Sequence, residues 1–126
     1  TAEEKARGLA AEVLRTQLKA GLYGMDPRGT EQLWVAYEPV WAIGKNGVPA
    51  SSAYAGERHT TLRRTLTELY GPERGSRVPL LYGGSVHLDN AVKLSQEAEI
   101  DGLFIGRSAW DARNFTAIIR EVLAAG

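Results

Sequence analysis

No cysteine occurs among the 126 residues, which removes disulfide cross-links and thiolate nucleophiles from the available chemistry. Histidine is scarce too. Only His59 and His87 are present, neither in a carboxylate-histidine cluster, so a dedicated metal site is not expected. Charge of one sign is also lacking: 15 acidic residues balance 15 basic ones, which leaves no sequence-wide field to hold a polyanion such as nucleic acid. No apolar run approaches the ~20 residues that a membrane-spanning helix needs, and neither a repeat nor a low-complexity tract interrupts the chain. What is there, 44% hydrophobic and 24% charged, is the composition of an ordinary soluble, cytoplasmic protein.

Apolar positions Leu9, Val13, Leu14 and Leu18 recur at helical spacing across residues 2–21 and stop at Gly21. The stretch from Gly24 to Gly29, with Asp26-Pro27, reads as a turn before a strand over Leu33–Tyr37. A loop from Glu38 to Ala50 follows. Ser51 or Ser52 caps a helix that runs to about Tyr70, with Leu62, Leu66 and Leu69 on its buried face and Gly71-Pro72 as its stop. Val78–Tyr82 reads as a strand, Leu88–Gln96 as a short helix, Ile100–Ile105 as a strand and Asn114–Leu123 as a closing helix. Continuous apolar strands alternating with amphipathic helices imply an α/β chain with a parallel sheet covered on its outer face. Periodicity alone leaves open whether that sheet is flat or part of a barrel.

Three of these strands close on a glycine-bearing loop: Tyr37-Glu38-Pro39-Val40-Trp41-Ala42-Ile43-Gly44, Leu81-Tyr82-Gly83-Gly84-Ser85-Val86 and Leu103-Phe104-Ile105-Gly106. Glu38 stands where the first strand ends. Crowding by Pro39, Val40 and Trp41 is expected to strip its water, which disfavours the charged carboxylate and makes it a better proton acceptor near neutrality. Taken alone, a strand-end glutamate is more often a surface ion-pair partner. The glycine junctions let backbone N–H groups approach an anion closely, although Ser85 by itself would also serve as a helix N-cap.

The run Ala36–Gly44, together with Tyr82-Gly83-Gly84-Ser85-Val86 and the Asp101-Gly102 strand, resembles the C-terminal half of triosephosphate isomerase over nearly the whole chain. The resemblance implies a (β/α)8 TIM barrel, present here from its fifth helix to its eighth. A closed barrel of this kind takes about 250 residues, so residues 1–126 are expected to be the C-terminal portion of a single barrel domain whose strands one to five are missing. By the same resemblance Glu38 is the base that shuttles a proton between adjacent carbons of dihydroxyacetone phosphate and glyceraldehyde 3-phosphate through an enediolate. Substrate phosphate falls to the backbone amides of Gly44, Ser85, Gly106 and Arg107. Residues 39–50 form a lid, with Pro39, Val40 and Trp41 as stiff entry hinge, Ala42, Ile43 and Gly44 as tip, and Tyr82 and Ser85 as latch. The family's electrophilic histidine, lysine and asparagine belong to the other half, so His59 and His87 are expected to be non-catalytic and the isolated chain inactive. No cofactor or metal is implied; the partners implied are a small phosphorylated sugar, the N-terminal half of the barrel and, for the full enzyme, a second copy in a homodimer.

Two segments depart from the family pattern. The usual exit from the lid, Gly-Lys-Thr-Ala, is replaced by Lys45-Asn46-Gly47-Val48-Pro49-Ala50, in which Pro49 restricts its own backbone angle and that of Val48. Where the family has Gly-Gly-Ala-Ser-Leu this chain has Gly106-Arg107-Ser108-Ala109-Trp110, so an arginine stands beside the phosphate amides. Its guanidinium either clamps phosphate or points outward while the amide does the family's work. Together the two changes resemble a branch of the family that isomerises four-carbon ketose phosphates, such as erythrulose phosphate. An alternative of another class is a non-catalytic half-barrel that self-associates to cover its open sheet edges. Arg63 and Asp101 resemble a family ion pair that ties the outer helices to the barrel.

Overall fold

Three short parallel strands organise the chain, which a computed structural model describes over all residues 1–126. They are β1 (Val35–Tyr37), β2 (Leu80–Tyr82) and β3 (Gly102–Leu103), side by side in that order. The register pairs Val35 with Leu80, Tyr37 with Tyr82, and Tyr82 with Leu103, so all three strands deliver their C-terminal ends to one rim. Five helices surround them: α1 (Ala2–Ala6), α2 (Ala10–Gly21), α3 (Ser52–Gly75), α4 (Leu88–Ser95) and α5 (Ala112–Ala125). Short 3-10 turns cover Pro27–Gln32, Val40–Ala42 and Arg107–Ala109.

Each strand is shorter than its sequence pattern predicts. Pro79 has no N–H to offer, so β2 begins only at Leu80, and Trp34, predicted inside the first strand, lies outside β1 and is 68% exposed. β1 and β3 are both edges, paired on one side only. The single helix predicted over residues 2–21 is two helices, because Gly8 at φ +74° turns the chain between them. Thr1 and Glu4 cap the first of these reciprocally. The predicted stop at Gly71-Pro72 is a kink: Gly71 takes φ +82°, and Pro72, pre-set for a first helical position, restarts the chain toward Gly75. Ser51, one of the two candidate caps, accepts from the Tyr54 amide at 3.2 Å and starts α3.

The core lies between β2 and the inner faces of α2, α3, α4 and α5, where Leu14, Leu18, Leu62, Leu66, Leu80, Leu94 and Ile118 meet. Leu69, expected on the buried face of α3, stays 38% exposed beside the kink. The Arg63–Asp101 pair is formed and extended. Arg63 donates to Asp101 Oδ2 at 2.6 Å, to Glu99 Oε2 at 2.9 Å and to the carbonyls of Gly75, Ser76 and Val78. The same Asp101 oxygen accepts the Leu80 amide at 2.7 Å, so one carboxylate joins α3 to the starts of both β2 and β3. No helix is long and apolar enough to cross a membrane.

Candidate active site

The strand ends build the site. Beyond Tyr37 the chain leaves β1 at Glu38, while the Gly83 amide donates to the Tyr37 carbonyl at 2.8 Å, which sets the two following loops against each other. Glu38 therefore lies on Gly83: a Cβ at position 83 would stand 2.7 Å from Glu38 Cγ, 3.0 Å from its Oε1 and 3.2 Å from the Phe104 ring. Only glycine leaves room for the carboxylate there. Glu38 opens into a cleft of about 680 Å³ whose walls include Gly44, Gly83, Ser85, Gly106 and Arg107. Thus the structure brings together the proposed base and all four expected phosphate-binding positions. One expectation fails locally. Glu38 is exposed rather than stripped of water, because Val40 faces solvent and Trp41 turns away to pack on Tyr54 at 5.5 Å between ring centroids.

The lid residues follow at once. Pro39 is buried, Val40–Ala42 form a single 3-10 turn, and the Ala42 amide closes it on the Pro39 carbonyl at 2.8 Å. Lys5 places its ammonium 3.7 Å from the centre of the Trp41 ring and 4.7 Å from that of Tyr54, a cation–π stack on the segment expected to be the entry hinge. Ile43 and Gly44 hang over the cleft, and Gly44 takes the left-handed φ of +79° that glycine tolerates.

Ser85 holds the loop expected to be the lid with both of its donors, since its amide and its hydroxyl each reach the Ala42 carbonyl at 2.7 Å. It is not the cap of α4: His87 occupies that position, and its amide donates to Asn90 Oδ1 at 2.9 Å. Asn90 in turn donates to the Ser85 carbonyl at 2.9 Å, so α4 fixes the serine that holds Ala42. With its amide on Ala42, Ser85 has no N–H left for an anion in this arrangement. The amides of Gly44, Gly106 and Arg107 donate to no protein acceptor and remain for one.

Tyr82, expected to latch the lid alongside Ser85, makes no such bond. Its side chain is fully buried and its hydroxyl has no hydrogen-bond partner. Burial pushes its pKa up to about 12, opposed by the Ala50 backbone, which lies near without the geometry of a hydrogen bond. The guanidinium of Arg107 donates to the Gly44 carbonyl at the end of the loop expected to be the lid, a partner that neither expected placement named.

His59 is fully buried in α3, away from the cleft. Its Nδ1 lies 2.9 Å from the Glu99 carbonyl and so carries the proton, its Nε2 has no partner, and its ring packs in a triangle with those of Tyr37 and Tyr82. Desolvation holds its pKa below the usual histidine value, partly opposed by the Glu99 hydrogen bond. Burial likewise raises Tyr37 well above the ordinary phenol range. His87, by contrast, lines the cleft, as do Phe104, Ser108 and Trp110. Sequence reasoning did not assign these four to the site; their signal was position, within a few residues of a glycine-closed strand end.

Parallel βα units that present a carboxylate and unengaged amides at the C-terminal ends of their strands define part of a TIM-barrel scaffold. The sequence profile described as triosephosphate isomerase matches residues 1–122. The chain belongs to the triosephosphate isomerase family. It is 47% identical over 126 residues to a Rhizobium etli protein named L-erythrulose-1-phosphate isomerase, covering 99% of this chain and 46% of that one. A Chlorobium phaeobacteroides protein named triosephosphate isomerase is 39% identical over 123 residues, covering 98% of this chain and 48% of that one. The crystal structure of triosephosphate isomerase from Bartonella henselae superposes with a TM-score of 0.83 at 31% identity, over 98% of this chain and 47% of that chain. The chain thus spans about half the length of the relatives it matches, a partial barrel.

Proposed function

We propose that this chain supplies the catalytic base and the lid of an aldose–ketose isomerase acting on a small phosphorylated ketose. The seating of Glu38 against Gly83, in a cleft also lined by three residues with unengaged amides, carries this reading. Glu38 removes a proton from the carbon beside the substrate carbonyl, the C–H bond pair becomes the enediolate double bond and the carbonyl pair moves onto its oxygen; the carboxyl then returns the proton to the former carbonyl carbon, while the hydroxyl proton passes from the other oxygen to the new alkoxide and leaves a carbonyl behind. Nothing is oxidised overall, because electrons move only between neighbouring carbons of one molecule. The weak carbon acid needs hydrogen-bond donors on the developing oxyanion, and by family resemblance those are the histidine, lysine and asparagine of the N-terminal half. The amides of Gly44, Gly106 and Arg107 hold the phosphate without clustered lysines, and the lid excludes water while the enediolate exists. The complete enzyme works as a homodimer in the cytoplasm, without a cofactor.

The substrate we favour is a four-carbon ketose phosphate, on the 47% identity to a protein named for erythrulose 1-phosphate. Dihydroxyacetone phosphate with glyceraldehyde 3-phosphate is the second reading, supported by the 39% identity to a protein named triosephosphate isomerase. The test is isomerisation of both substrates by the complete protein, with Glu38→Gln as control. Turnover of either, lowered by Glu38→Gln by about 10²-fold or more, is the expected result, and the preferred substrate chooses between the readings. Activity that survives Glu38→Gln would refute the assigned base. A complete protein inactive on both would leave the half-barrel as a scaffold. The isolated chain, without the electrophilic residues, should not turn over either substrate.

A further inference from the structure

Beyond Ala42, which Ser85 holds, the lid is hydrogen-bonded to the rest of the molecule by one side chain. Across residues 43–47, the Gly47 amide on the Gly44 carbonyl at 3.2 Å closes the tip's own turn, and the one bond from outside is that of Arg107 to the same carbonyl. Two donors thereby occupy both lone pairs of the Gly44 carbonyl. The other parts of the lid have separate anchors: the entry hinge is held through Trp41 by Lys5 and Tyr54, and the turn behind the tip through Ala42 by Ser85. Along the exit, Val48 donates back to the Trp41 carbonyl at 3.0 Å, a bond internal to the lid, and its side chain is exposed. A tip without Arg107 would hang from its own turn alone.

We infer that Arg107 is a positioning residue, a latch that holds the lid tip down from the loop following β3. Its guanidinium is suited to this because it reaches far and gives a directional charge-assisted bond to a carbonyl. The latch springs from the Gly106–Arg107 turn, which lines the cleft and whose amides have no protein acceptor. An anion bound to the amides of that turn and the lid tip are therefore coupled through a single residue. This inference builds on the isomerase reading only in calling residues 39–50 a lid; the bond itself does not depend on which substrate, if any, is turned over.

Lys45, exposed and next to the latched glycine, makes the test independent of activity, since it is the single lysine between residues 39 and 50. A lysine-specific protease acting on the folded complete protein should cleave after Lys45 about fivefold faster in Arg107→Gln than in the wild type, the equivalent of ~1 kcal/mol. Arg107→Lys, which keeps the charge and one directed donor, should restore part of the protection. Unchanged melting temperatures would confirm that both variants are folded, as an exposed position allows. Equal cleavage after Lys45 in wild type and Arg107→Gln overturns the latch. So does a Gln variant whose Lys45 cleavage is unchanged while its binding of inorganic phosphate weakens, because the guanidinium then serves the anion directly. A complete protein inactive on both sugar phosphates removes the isomerase reading and leaves the proteolysis result fully readable.

Discussion

Replacing Arg63 by methionine should be among the most damaging changes available outside the cleft. The side chain is only 11% exposed, and its five bonds end on two carboxylates and three backbone carbonyls. Removing one partner of a buried ion pair costs about 3–5 kcal/mol, because the other charge is left without compensation. Here water recovers part of that loss, since Glu99 is 35% and Asp101 42% exposed, while the orphaned Gly75 and Val78 carbonyls are part-buried and recover less. The net expectation is about 3 kcal/mol. At 2–4 °C per kcal/mol for a barrel-sized domain, the complete protein should lose about 6–12 °C of melting temperature. Arg15→Met, which breaks the solvent-facing Arg15–Glu68 pair, is the control and should shift the melt by a small fraction of that. Urea unfolding with Arg63→Met, Asp101→Asn and the double variant isolates the coupling. If Arg63→Met melts as Arg15→Met does, the clasp is not structural.

Three further outcomes follow from the same geometry. Gly83→Ala puts a methyl group 2.7 Å from Glu38 Cγ and should displace the carboxylate, lowering kcat of the complete enzyme about 10²-fold with little change in melting temperature; unaltered kcat would mean that Glu38 is not working from this seat. Desolvation depresses the pKa of His59 in the folded chain, so its contribution to stability is full above the unfolded value near 6.5 and is lost as pH falls from there through the folded value. His59→Asn, which keeps a donor toward Glu99, should flatten the decline of melting temperature between pH 7 and pH 5, and an identical decline in both proteins would refute the assignment. Tyr82→Phe removes a buried hydroxyl that has no partner and should leave the melting temperature unchanged or raise it; a clear drop would show that the hydroxyl is bonded after all.

What was legible in the sequence was what local chemistry dictates. Apolar runs closing on glycine located β1, β2 and β3 and placed Glu38, Ser85 and Gly106 on one rim, because parallel strands must deliver their ends together. Strand lengths were not legible: pairing on one side only, and the missing N–H of Pro79, act through neighbours. The split at Gly8 was hidden for a related reason, since the apolar spacing continues across a residue whose left-handed turn cannot be read from periodicity. Within the site, the least predictable groups were those with the longest reach. Arg107 finds the Gly44 carbonyl through a flexible side chain whose direction no spacing specifies. The expected desolvation of Glu38 failed because it depended on Val40 and Trp41 facing inward, and neither does.

The stack of Lys5 on Trp41 also makes the entry hinge visible to light. Of the three tryptophans, Trp34 and Trp110 are 68% and 83% exposed, whereas Trp41 is half-buried against Tyr54 with an ammonium over its ring. A positive charge over an indole shifts the energy of its excited state, so lifting the hinge away from Lys5 would change both the colour and the quenching of Trp41 emission. With Trp34 and Trp110 changed to phenylalanine, the protein would carry its own unlabelled optical gauge of whether residues 39–41 move away from Lys5.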